Sequence, residues 1–157
     1  MRKRMIAPDR QQAVPPDQDW LNVEDLAVVE ITSEETAHPI ESALLTGGTP
    51  GWRAADPGKQ TIRLLFTRPQ PLRRIWLNFV EDHAERTQEY VLRWSADGGQ
   101  SYREIVRQQW NFSPRGATSE TEDHHVELPA VTVLELSIIP DTSGAKSFAS
   151  LEQLRLA

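Results

Sequence analysis

The chain has 157 residues, 38% of them apolar and 25% charged, which suits a single domain with one hydrophobic core. A net charge of −6 and a pI near 5.2 repel phosphate backbones, so no nucleic-acid partner is expected. The absence of cysteine excludes disulfides, thiolate metal sites and a cysteine nucleophile.

In chain order, residues 1–20 are rich in Pro, Gln, Asp and Arg and have no hydrophobic period, which predicts a mobile tail ahead of one domain over 21–157. The basic start is not followed by an apolar run, because Asp9, Arg10, Gln11 and Gln12 come next. No stretch has the length of a membrane span. A cytoplasmic, monomeric protein without a membrane partner is the expectation.

From residue 27 onward short alternating runs predict strands. Residues 27–32 are the first. In 61–66, Ile62, Leu64 and Phe66 share a face, and in 72–80 so do Ile75, Leu77 and Phe79. In 89–95, Tyr90, Leu92 and Trp94 lie together. Residues 102–110, 125–128, 132–139 and 151–156 complete the set. Helical signal is confined to short stretches at 19–26 and 40–45. Long helices do not alternate with the strands, which argues against a doubly wound sheet and for an all-β antiparallel sandwich or jelly roll.

Between two of these strands, Ser95, Asp97, Gly98, Gly99, Ser101 and Tyr102 predict a tight hairpin, since Asp-Gly-Gly supplies positive-φ positions. The string also fits the Asp box of sialidase-type propellers. Those repeat it blade after blade, whereas here it occurs once, so a structural turn is the better reading.

Five pieces in order resemble the galactose-binding-domain-like jelly roll, also called the discoidin or coagulation factor 5/8 C-type superfamily. They are the loop from Ala43 through Thr46, Gly47, Gly48, Thr49 and Gly51 to Trp52; the strand Gln60 to Phe66; the proline-led strand Pro71 to Leu77; Tyr90 to Gly98; and the closing Ala149 to Leu156. Trp52 to Ala55, Gly58 to Ile62, and Asn111 to Pro114 are also similar to the N-terminal domain of the DNA single-strand-break repair scaffold protein. The acidic pI argues against that domain's DNA contact.

The superfamily resemblance implies a binding site on loops at one end of the sandwich, often for sugars. It also implies, in many members, a structural Ca²⁺ held by an Asp before the Trp, a nearby Thr, backbone carbonyls and the Glu of the last strand. Here the Asp position falls on Thr46, while Thr49 and Glu152 match the rest. Loss of the carboxylate argues against tightly bound calcium, and no other cofactor is implied.

Candidate binding residues follow from the loops. Trp110, Asn111 and Arg115 supply an aromatic face and planar polar groups suited to a sugar ring and its hydroxyls. The plainer alternative is Trp110 as a core anchor with a solvated loop beyond it. Residues 81–87 mix both charge signs and line the same end in this reading, which adds His83 and Arg86; a solvated turn is again the plainer account. His124 and His125 are adjacent on a strand and point to opposite faces, so they cannot chelate one ion together. No nucleophile elbow, zinc-helix motif, phosphate loop or dinucleotide fingerprint is present, so a non-enzymatic module is expected. Its ligand is a carbohydrate or, in the alternative reading as an intracellular adaptor, a protein.

Overall fold

The computed structural model describes residues 1–4, 14–16, 18–47 and 51–157. Among the described residues, eight strands and two one-turn helices follow in the order α1 (Val23–Leu26), β1 (Ala27–Ile31), α2 (Glu41–Leu44), β2 (Trp52–Arg53), β3 (Gln60–Val80), β4 (Arg86–Ser95), β5 (Arg103–Phe112), β6 (Ser119–Ile139), β7 (Ser150–Leu151) and β8 (Gln153–Leu156).

The organising feature is a ribbon of two 21-residue strands, β3 and β6, paired antiparallel from Gln60↔Ile138 to Val80↔Ser119. Its register shifts between Leu65 and Arg74, where the ribbon carries Pro69, Pro71 and Pro129. Proline lacks the N–H that a ladder needs, so regular pairing breaks there and the ribbon bends. On one side of the bend β3 and β6 lie between β1 and β4, with β5 at the edge; on the other side β8 pairs with β3. β2 and β7 form a separate two-stranded ladder.

The bend also changes which residues face inward. Ile62, Leu64 and Phe66 are buried on even positions, and Ile75, Leu77 and Phe79 on odd ones. The irregular step between them lets two in-register halves turn opposite parities toward one core. Two layers meet face to face: Phe79 of one stacks on Tyr90 of the other, ring centroids 5.2 Å apart. The antiparallel sandwich expected from the alternation is the observed fold.

Several segments differ in extent from their sequence reading. The runs at 61–66 and 72–80 are one strand, as are 125–128 and 132–139, because ladder pairing resumes past each irregular step. The helices shrink to 23–26 and 41–44. Contacts reach back into the segment read as a tail: Trp20 Nε1 donates to Pro15 O at 2.9 Å, and Arg74 lies over the Trp20 ring at 5.1 Å. The Leu21 N–H donates to Leu156 O at 2.8 Å, tying this segment to β8. Trp76, on an alternate position, is nonetheless 2% exposed.

The hairpin after β4 is built as its residues predict. Gly98 and Gly99 take φ of 74° and 94°. Ser95 Oγ donates to Asp97 Oδ1 at 2.6 Å, and the Ser101 N–H donates to the same oxygen at 2.9 Å. These bonds, led by those from Ser101, hold the Asp97 carboxyl well below the usual carboxylate range.

The interlayer core carries the stability. Phe79 is fully buried against Tyr90, so Phe79→Ala should cost about 3–5 kcal/mol in urea unfolding. A loss under about 1 kcal/mol would mean the layers do not pack through this ring.

Candidate functional site

Folding the ribbon brings the free ends of both layers to one end of the sandwich. The connections 81–85, 113–118 and 140–149 meet there. A backbone bond joins the first two, Glu81 N–H to Thr118 O at 2.8 Å, and the third is tied to β4 by Thr142 N–H to Thr87 O at 2.8 Å and to the residue after β2 by Ala54 N–H to Ala149 O at 2.9 Å. The loop 113–118 is closed on itself by Ser113 N–H to Ala117 O at 2.9 Å. Loops fixed to one another on a rigid sandwich form a surface suited to recognition.

The residues singled out from the sequence divide between this surface and its support. His83 is exposed, with Nε2 3.1 Å from an Asp82 oxygen. Arg115 is exposed at the tip of its loop. Asn111 is exposed, and its Oδ1 accepts the Thr87 hydroxyl at 2.7 Å. Trp110 alternates inward from Asn111 and packs against the core; its Nε1 is buried without a hydrogen-bond partner among the described residues.

Arg86 requires a correction, because it is an interior residue with 4% exposure and not a surface contact. Its Nε donates to Glu81 Oε1 at 2.8 Å and its Nη1 to Pro140 O at 2.9 Å, with the guanidinium 4.8 Å from the Phe112 ring centroid. It clamps two of the end connections together. Burial alone would push the Glu81 carboxyl up, but the bond from Arg86 and backbone bonds from His83 and Ala84 hold it below its usual value.

Beneath this clamp lies a polar floor between the layers. Gln88 and Tyr90 of β4 face Glu120, Glu122 and His124 of β6. Gln88 Nε2 donates to Glu120 Oε1 at 3.2 Å. Burial holds the Tyr90 phenol protonated, so its O–H donates to His124 Nε2 at 2.8 Å. Burial also pushes the His124 imidazole down, favouring the neutral ring that accepts this bond. His125 turns outward, as the alternation requires, with 74% of its side chain exposed.

Glu120 is fully buried, and burial first, then the charge and hydrogen bond of Glu122, push its carboxyl up to about 8. Gln88 and Arg86 pull the other way.

Two residues on the same end carry no periodic signal and were not found from the sequence. Phe148 is half-buried in the connection 140–149, and Arg53 of β2 lies 5.8 Å from its ring centroid. An aromatic in a polar, glycine-containing loop was the available clue.

Of the calcium candidates, Thr46 follows α2 and Glu152 lies between β7 and β8. Thr46 is exposed, Thr49 lies outside the described residues, and burial pushes the Glu152 carboxyl up, with His38 opposing. Among the described residues no group of three His, Asp or Glu could hold a metal ion. A calcium site wants several hard oxygens with net negative charge, and of the described candidates only Glu152 carries a carboxylate.

This architecture shares the jelly-roll sandwich fold of family 32 carbohydrate-binding modules. The family 32 module of C. perfringens NanJ, in complex with galactose, matches with a TM-score of 0.64 at 15% identity, over 87% of this chain and 96% of that one. Clostridium perfringens CpGH89CBM32-5, in complex with GalNAc-β-1,3-galactose, matches with 0.63 at 19% identity, over 88% and 99%. A pectin-binding carbohydrate-binding module matches with 0.60 at 12% identity, over 83% and 89%. The likeness to the repair scaffold domain draws no support from these structures. No family model and no curated protein matches the sequence.

The polar floor makes stability depend on pH. Folded Glu120 keeps its proton above the ordinary value of 4.5 at which the unfolded chain loses it. The contribution of Glu120 to stability is therefore full below about 4.5, declines as pH rises toward about 8, and levels off beyond. Glu120→Gln should flatten that slope and add roughly 1–2 kcal/mol at pH 8, read from urea midpoints across pH. An unchanged slope in the variant would place the titrating group elsewhere.

Proposed function

We propose that this chain is a non-catalytic carbohydrate-binding module that takes its ligand on the loops 81–85, 113–118 and 140–149. The observation that carries this reading is the convergence of those loops at one end of a jelly roll shared with modules solved with galactose and with GalNAc-β-1,3-galactose. A sugar presents hydroxyls around a ring with apolar C–H faces. Binding it takes planar donors and acceptors beside an aromatic ring. His83, Asn111 and Arg115 supply the first on one flank, and Phe148 with Arg53 supplies the second on the other. Arg86 contributes from below by holding residue 81 and Pro140 in place.

Recognition of this kind needs no bond making, and the burial of Glu120 in the floor supports that view. Glu120 and Glu122 lie between the layers, and Glu120 has no solvent exposure from which to reach a glycosidic bond. The ligand class that fits is an exposed sugar or a short glycan end.

Calorimetric titration with galactose, with GalNAc-β-1,3-galactose and with pectin tests the proposal. At least one should bind with sub-millimolar to millimolar affinity. Arg115→Ala and Phe148→Ala should each weaken that binding about tenfold, equal to about 1.4 kcal/mol, without lowering thermal stability. Absence of binding to all three, and to a broad glycan array, would discard the carbohydrate reading in favour of a protein ligand.

A further inference from the structure

Arg155 of β8 pairs opposite Trp76 and alternates away from the core-facing Leu154 and Leu156. Such a position predicts a solvated side chain, yet Arg155 is 6% exposed. It reaches to the end of α2. Nη1 donates to Ala43 O and to Leu154 O, both at 2.8 Å, and Nη2 donates to Leu45 O at 3.1 Å. No carboxylate pairs with it among the described residues. Arginine stays protonated in proteins, so the positive charge here is met by three backbone carbonyl oxygens at its Nη atoms, while Nε is buried without a partner among the described residues.

That arrangement is what a hard cation would make of the same place. The last carbonyls of a helix lack intrahelical partners, and a bound cation or a donor must satisfy them. Ser42, Leu45, Thr46, Gly47 and Gln153 line the hollow that Arg155 enters. Thr46 brings no charge to it, and the guanidinium repels a second cation held nearby.

We propose that the Arg155 guanidinium is a built-in cation that orders the end of α2 and residues 45–47, doing the work of a structural calcium ion and making this jelly roll calcium-independent. The charge is delivered by β8 itself, so the corner assembles when the last strand docks and waits on no ion. The inference stands apart from the sugar reading, since a module of either ligand class can hold its corner this way.

Thermal unfolding of the full chain tests it. With millimolar calcium chloride or millimolar EDTA the Tm should agree within about 1 °C, and calcium titration should release no saturable heat. Arg155→Met removes the charge and leaves carbonyls unsatisfied, and should lower Tm by about 5 °C or more with either addition. Arg155→Lys keeps the charge without the fork and should fall between the two. A saturable rise of the wild-type Tm with calcium would overturn the proposal, as would an Arg155→Met protein as stable as the wild type. Should Arg155→Met fail to fold, the wild-type calcium response and the Arg155→Lys shift decide the question.

Discussion

The pairing of β3 with β6 sets the terms for everything else in this molecule. Two strands that pair on both sides of a bend belong to both layers at once, so neither layer can form without placing the other. Bending the ribbon turns Phe79 against Tyr90 and closes the core. It also sends every free connection of that side to the same end. The surface proposed to bind sugar is thus a by-product of how the ribbon folds, and the loops need little order of their own.

Charge is distributed in keeping with that plan. On the outer face of the larger layer, Glu30, Arg63, Glu135 and Arg93 occupy paired positions across β1, β3, β6 and β4. Glu135 is 2% exposed and accepts from Arg63 at 2.8 Å and also from Arg93. Burial would push its carboxyl up, but those two cations bring it below its usual value. Such a row fixes strand register, because a slip of one residue would bury each charge without its partner. Between the layers the logic is reversed: among the described residues Glu120 faces no cation at bonding distance, and it is held in its neutral form. One site fixes register by ionic pairing, and the other keeps a carboxyl neutral inside the sandwich.

Arg86 and Arg155 show a third use of charge. Both are buried guanidiniums that gather backbone carbonyls from segments far apart in the chain, Pro140 in one case and Ala43 with Leu45 in the other. The planar fork suits this, since several donors leave one rigid group in fixed directions. Each acts as a tie between a strand and a loop that has few apolar residues to bury.

Period-two alternation identified the strands, their inward faces, the Asp97–Gly98–Gly99 hairpin and the opposed directions of His124 and His125, because those properties depend on neighbours in sequence. Motif order pointed to the jelly roll for a similar reason: turn glycines, a strand-leading proline and Trp52 are local requirements of that chain path. The extent of the ribbon, the burial of Arg86 and Arg155, and the meeting of Phe148 with Arg53 were decided only in three dimensions. A polar side chain goes inside when partners from remote segments satisfy it, and those partners exist only once the two layers have closed.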